Sequence, residues 1–313
     1  MKLIRQSSKL LGTPTSTQEA WKTAEEAYRT CYQSTPKDAT LTSEQWCKRF
    51  ISHGANPDRD HMSPLEFGAV YLVGELDKNK LLEDTYRRYK NNPYSRANLN
   101  PYTNTFYITT NLRVIFEHGW EDDLSLATSP TKEHTLFVVF KAHCALHVYK
   151  DCRTHRATSW AVESTRFCNY TKDKFGNELT FALLPEMADK YPMLNSNCNK
   201  SLDKEFVEGL TYDIEEIGIP EYRELPIYLN GMLDAEERYM NLINNYHWKP
   251  QMAAKRLPQD IAAHVMFGGY EDGLNHMFML RAAELSGPVD SMVKEVMYPL
   301  WVDYNDFIFN MKN

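Results

Sequence analysis

Residues 153–170, RTHRATSWAVESTRFCNY, put Arg153, His155, Arg156 and Arg166, the hydroxyls of Ser159 and Ser164 and the Glu163 carboxylate into one short span. Arginine presents a planar fork of N–H donors suited to bidentate contacts with phosphate, and serine hydroxyls complete such contacts. The stretch therefore reads as a binding segment for an anionic group, held by Arg156 and Arg166 with Ser159 and Ser164. Taken alone it better fits a solvated helix and turn whose His155, Arg156, Glu163 and Arg166 form exposed ion pairs of little worth.

The flanking segments supply the scaffold. On the N-terminal side, HTLFVVFKAH (134–143) is a short apolar run and TNTFYITTNLRVIF (103–116) is rich in Thr, Tyr, Phe and Ile, so both are expected to be strands. ALHVYKDCRTHRATS (145–159) has a charged helical pattern, and NELTFALLP (177–185) reads as a strand after the Lys174-Phe175-Gly176-Asn177 turn, broken by Pro185. Residues 16–34 space Ala20, Ala24, Ala27 and Cys31 at helical intervals behind Ser16 and Thr17. LTSEQWCKRFISHG (41–54), capped at Thr42 or Ser43 and closed by Gly54, predicts a second helix, and SPLEFGAVYLVGEL (63–76) a third begun by Ser63 and Pro64. A mainly helical N-terminal third (about 16–82) follows. Beyond the strands, a long helix is expected from about Pro226 to Tyr246, and residues 256–287 supply at least one more before Gly287-Pro288. The sum is an α/β (α+β) chain, a mixed or antiparallel sheet flanked by long helices, without repeats or low-complexity linker; length alone leaves the domain count open.

The 313 residues, 42% hydrophobic and 25% charged with a net charge of −7, exclude fibrous and disordered classes. A negative balance argues against a nucleic-acid polymer as partner, since backbone binding needs a dense Lys/Arg surface. No run of eighteen apolar residues suggests a membrane span and the first residues lack a secretory signal. Six scattered cysteines without a C-x-x-C pair suit reduced thiols and a cytoplasmic location.

The span 154–167 resembles the signature of the flavin-dependent thymidylate synthases, R-H-R-x-x-S-x-N-x-x-S-x-R-Y. His155, Arg156, Ser159, Ser164 and Arg166 fall on matching positions without a gap, and CNYTKDKFGNELTF (168–181) resembles the continuation in one branch of that family. AYRTCYQS (27–34) is similar to its A-x-R-x-C/S-Y segment and SPLEF (63–67) to S-P-x-E-H. LPQDIAAHVMFGGYEDGLNHMFMLRAAE (257–284) resembles its C-terminal pattern, with Arg281 on the final arginine. The resemblance covers about residues 20–300 and implies the fold of that family as one domain over residues 1–313, and a homotetramer with sites at subunit junctions. There FAD relays a one-carbon unit from methylenetetrahydrofolate to dUMP, and NADPH reduces the flavin. It further implies that Glu163, Ser164, Arg166 and Arg281 bind dUMP, and that His155, Arg156, Ser159 and His276 contact FAD. No nucleophile and no metal is implied.

Departures cluster on the flavin side. Thr154 stands for the first arginine with Arg153 adjacent, Ala161 for the asparagine, Phe167 for the tyrosine and Phe67 for the histidine of S-P-x-E-H. Tyr270 and Asp272 occupy N-x-R, and Ala254 an arginine position near Lys255 and Arg256, which are candidates to replace it. Each hydrogen bond left unmade in a closed site costs roughly 1–3 kcal/mol. Two other readings therefore stand beside dTMP synthesis: a divergent enzyme acting on another pyrimidine nucleotide, and a nucleotide-binding chain without turnover, alone or with a second, more typical subunit. Two further patterns point away from chemistry. His143 and His147, spaced i, i+4, read as structural histidines because the segment begins as a strand and H-E-x-x-H is absent. Trp301, Tyr304, Phe307 and Phe309 read as C-terminal packing or a subunit contact.

Overall fold

The computed structural model describes residues 1–35, 40–51, 61–76, 80–217 and 223–313. The chain opens with strands β1 (Lys2–Ile4) and β2 (Ser7–Gly12), then helices α1 (Thr17–Tyr32) and α2 (Ser43–Cys47). Next come β3 (Ala69–Glu75), α3 (Lys80–Lys90), β4 (Arg96–Asn100), β5 (Thr105–Asn111), α4 (Leu112–His118), β6 (Ala127–Thr128) and the long β7 (Phe137–Ala145). Helix α5 (Leu146–Cys152) leads into β8 (Thr158–Val162) and β9 (Thr180–Ala182). A helical stretch follows: α6 (Pro185–Lys190), α7 (Pro192–Asn197), α8 (Lys204–Ile217), α9 (Glu224–Asn244) and α10 (Pro250–Ala253). Strand β10 (Ala262–Tyr270) and helices α11 (Glu271–Arg281) and α12 (Ser291–Lys312) complete the chain.

The architecture is α+β. One antiparallel sheet runs β2-β7-β10-β8, a second runs β4-β5-β3-β6, and β1 pairs in parallel with β9. Helices α11 and α12 cover one face of the first sheet, where Phe140, Phe267, Phe278 and Tyr304 meet in a buried cluster. A second core joins Leu3 and Phe181 to the inner side of α9, including Leu225, Leu229 and Tyr239. Helix α1 faces both sheets: Ala27 belongs to the first core, while Ala20, Ala24 and Tyr28 belong to a third around Leu72, Phe106 and Ile108. Small alanines on this stripe let backbone approach closely. Gly68 lies beneath it, where an added Cβ would come 2.8 Å from the Ala20 carbonyl oxygen.

Local signals account for most boundaries. Ser16 caps α1 by accepting from the Glu19 N–H, and Thr42 and Gln45 form a reciprocal capping box at α2. The second predicted helix spans only Ser43–Cys47, continued by a 3-10 turn Lys48–Phe50, and its expected closing Gly54 lies outside the described residues. The third predicted helix is corrected: Ser63–Phe67 form a 3-10 turn and Ala69–Glu75 a strand, while α1 and α2 leave helix the commoner element in the described part of residues 16–82. Val70, Tyr71 and Leu72 are all buried, and a strand covered on both faces shows no alternation to distinguish it from a helix. Residues 103–116 divide at Asn111, whose side chain accepts from the Val114 N–H and so caps α4 after β5. Strand β10, expected within a helical stretch, was concealed in the same way by the run Ala262 to Tyr270.

The C-terminal aromatics divide as packing and surface: Tyr304 is buried, Trp301 and Phe307 pack against the core, and Phe309 is exposed. No described helix is long and apolar enough to cross a membrane.

The start of α11 presses on the turn before β8. A Cβ on Gly273 would sit 2.6 Å from the Ala157 Cβ and 3.1 Å from its carbonyl oxygen. Gly273→Ala is expected to destabilise the protein by about 1–3 kcal/mol through overpacking. Adding Ala157→Gly should recover part of that loss in chemical denaturation, because only the side-chain clash is removed.

Candidate functional site

The signature segment is an edge strand followed by a turn. β8 pairs with β10 in the register Ser159 to Gly268, Ala161 to Met266 and Val162 to Val265. Alternation sends Trp160 into the core, stacked on Phe267 at 4.7 Å. Ser159 points the other way and donates to Glu66 Oε2 at 2.6 Å, while Arg113 holds the other Glu66 oxygen. The strand ends at a tight turn: the Ser164 N–H donates to the Cys31 carbonyl at 2.9 Å, and the Ser164 carbonyl accepts from Phe167 and Cys168. Helix α1 and the signature are thereby joined through the AYRTCY segment.

Beside this turn lies a cavity of about 490 Å³ whose lining includes Ser164, Arg166, Lys150, Arg153, Tyr149 and Tyr32. Lys150 and Arg153 are three residues apart near the end of α5 and so share a side of the chain. Arg166 is exposed and its guanidinium lies 5.4 Å from the Phe167 ring centroid, so the phenylalanine at the signature tyrosine keeps a ring contact. His61, which accepts or donates with the Tyr32 hydroxyl at 2.9 Å, also lines the space. Three basic side chains and several hydroxyls around one cavity suit a phosphate-bearing ligand.

Glu163 forms part of the same wall and is 5% exposed. Its Oε1 accepts from the Tyr170 hydroxyl at 2.8 Å and its Oε2 from the His264 backbone N–H at 3.2 Å. Burial raises the carboxyl above its ordinary range, opposed by those two hydrogen bonds and by Lys174.

The remaining predicted residues assemble separately. Arg281, at the end of α11, donates from Nε to His155 Nε2 at 3.0 Å and from Nη2 to the Asp151 carbonyl at 3.3 Å. His276 lies near, its ring 6.0 Å from that of His155. Burial, with Arg281 and His276 alongside, lowers the His155 imidazole below its usual value. Arg156 is exposed in the turn between α5 and β8. The chain thus brings Glu163, Ser164 and Arg166 to one cavity and His155, His276 and Arg281 to a cluster that does not line it.

The altered positions are occupied from within. Phe67 is 1% exposed, Ala161 4% and Tyr270 6%, so none offers a free polar atom to a ligand. The Tyr270 hydroxyl donates to the Tyr94 and Thr109 carbonyls at 2.7 and 3.3 Å. Asp272 pairs with Arg96 at 2.9 Å, and the same guanidinium lies over the Tyr270 ring at 4.5 Å. Thr154 donates to the Asp151 carbonyl at 2.7 Å. Arg256, one of the two cations expected to stand in for an arginine at Ala254, lines a different cleft with Arg238 and Tyr246. Among the described residues no group of three or more His, Cys, Asp or Glu is placed to hold a metal ion.

Neither a protein-family profile nor a curated protein matches the sequence. Among solved structures, the chain is similar to a UMP/dUMP methylase, PolB, of Streptomyces cacaoi bound with 5-Br dUMP. The identity is 12%, the coverage 98% of this chain and 93% of that one, and the TM-score 0.42. It is also similar to thymidylate synthase X of Helicobacter pylori with FAD and dUMP, at 13% identity over 98% of this chain and 99% of that one, TM-score 0.36. These values describe chain course and assign no residue a role.

The Glu163 carboxyl gives a pH test. Its folded-state value lies above the ordinary 4.5, so its contribution to stability is complete below pH 4.5 and declines as pH rises through the folded value. Glu163→Gln removes this decline. The melting temperature of the wild type minus that of the variant should fall from acid toward neutral pH; a constant difference would contradict the raised carboxyl.

Proposed function

We propose that this protein modifies a pyrimidine nucleotide and acts as a FAD-dependent thymidylate synthase. It would convert dUMP to dTMP with methylenetetrahydrofolate and NADPH, in the cytoplasm. The observation that carries the reading is the cavity where Ser164 and Arg166, retained from the signature, stand with Lys150 and Arg153. Arg166 and Ser164 bind the phosphate, and the buried Glu163 holds the turn that presents them. Charge-assisted bonds in such a pocket fix the nucleotide so that the ring is presented in one orientation. Arg281 lies apart in this chain, which supports a homotetramer in which a neighbouring copy brings that arginine to the nucleotide.

FAD, when bound, supplies the one-carbon relay and the reducing electrons. His155, Arg156, Ser159 and His276 are the residues to hold it. The basic members of this set suit its phosphates, whereas Phe67, Ala161 and Tyr270 give the flavin ring no polar partner from this chain. That observation favours a second reading: a chain on the same scaffold that acts on another pyrimidine nucleotide, or binds nucleotide without turnover beside a second, more typical subunit.

The visible spectrum of the purified protein, before and after adding FAD and removing the excess, separates these readings. A retained flavin spectrum is expected for the synthase; none under either condition would leave only the nucleotide-binding reading. Independently, Arg166→Ala and Arg281→Ala are each expected to weaken dUMP binding by about 1.5–3 kcal/mol, the worth of a hydrogen bond to a charged group. Unchanged affinity in both variants would remove dUMP from the assignment. A ligand that binds only the folded chain must also raise its melting temperature, so dUMP should do so in the synthase reading and the chain's own pyrimidine nucleotide in the second.

A further inference from the structure

The nucleotide cavity leaves a larger space beside it without a role. Across Glu163, a cavity of about 830 Å³ opens between the C-terminal end of α1 and the sheet, its lining including Arg29, Trp46, His143, Lys174 and His264. Two cations there are already engaged. Arg29 donates from Nε to Glu25 at 2.7 Å and lies over the Trp46 ring at 4.5 Å, and Lys2 is 3.6 Å from Glu178.

Lys174 is different. Its ammonium donates to the Gln33 carbonyl at 3.4 Å and lies 4.6 Å from the Phe175 ring centroid. Among the described residues no carboxylate stands within ion-pairing distance of it. An ammonium has three donors and a full charge, so Lys174 keeps capacity for an anion.

The sheet contributes two imidazoles to the same lining. His143 on β7 and His264 on β10 are register partners, and their rings stack at 4.0 Å with 14° between planes. Burial lowers both imidazoles, His143 to about 4 with His264 and Lys2 adding to the effect, and His264 with Lys141 adding. Each neutral ring offers one donor and one acceptor nitrogen. The stack keeps the two rings parallel, which is unlike the convergence that a metal ion requires. Glu163 reaches this space as well, held by Tyr170 and the His264 N–H.

We propose that this second cavity is a ligand site for a small anion carrying a planar ring. Lys174 holds the anionic group and the His143 and His264 side chains face the ring, while Glu163 forms the wall shared with the first cavity. The site is independent of whether the first one takes dUMP.

Phenylphosphonate, a planar ring bearing a phosphonate, is the probe. Its binding to the full chain is measured by calorimetry at neutral pH, in parallel with dUMP. Binding is expected in the wild type, weakened by roughly tenfold in Lys174→Ala through loss of one charge-assisted contact. Arg166→Ala should leave phenylphosphonate binding unchanged while weakening that of dUMP. Lys174 is exposed, so its replacement does not threaten folding, and retained dUMP binding by Lys174→Ala confirms an intact fold where the first site takes that nucleotide. A melting transition equal to the wild type serves the same purpose otherwise. Absence of phenylphosphonate binding in the wild type overturns the proposal. So does equal binding in Lys174→Ala, or loss in Arg166→Ala alone, which would place the probe in the first cavity.

Discussion

Strand β10 is the member on which the rest of the structure depends, because it is paired along its whole length with β7 and along five residues with β8. A strand held on both sides has its backbone donors and acceptors committed and its side chains fixed in direction. β8 and Glu163 of the signature take their position from this strand. The His264 carbonyl accepts from the Glu163 N–H at 2.8 Å, and the His264 N–H donates to the Glu163 carboxylate. Gly268 and Gly269 let neighbouring segments lie close: a Cβ at Gly268 would be 2.9 Å from the Phe137 ring, and one at Gly269 3.2 Å from the Ala157 carbonyl oxygen. The end of β8 and the turn that precedes it are therefore seated against the same backbone.

This seating separates the two anion-directed groups by construction. Ser164 and Arg166 follow β8 beyond its C-terminal end, while His155 and Arg156 precede its N-terminal end. An extended strand rises about 3.3 Å per residue, so the five residues of β8 set the groups apart by a fixed span. Arg281 follows the N-terminal group because α11 leaves β10 next to the β8 start. A ligand long enough to touch both groups would run along the edge strand, and a short one would use a single end.

What the sequence disclosed follows from how local each signal is. Ser16, Thr42 and the Gly176 turn act through hydrogen bonds or dihedrals within a few residues, and they were readable. Glu163, Ser164 and Arg166 come together because they are neighbours in the chain. The strands Ala69–Glu75 and Ala262–Tyr270 were hidden because burial on both faces erases alternation. The Arg281 to His155 bond and the stack of His143 on His264 depend on pairing between remote segments, and no spacing rule within one segment reveals them. Lys150 could have been found, since it precedes Arg153 by one helical turn.

Tyr270 carries a consequence for which positions of this chain can change independently. Its ring fills buried volume beside Phe137, at 5.3 Å between centroids, and its hydroxyl donates to the Tyr94 carbonyl at 2.7 Å with the Thr109 carbonyl 3.3 Å away. Replacing Tyr270 with a smaller side chain would open a cavity and remove the hydroxyl's hydrogen bond, costs of about 2–5 and 1–3 kcal/mol respectively. Asp272 is tied to the same arrangement through Arg96. Replacing Tyr270 alone is thus opposed by stability, and the residues at 96, 270 and 272 behave as one coupled unit.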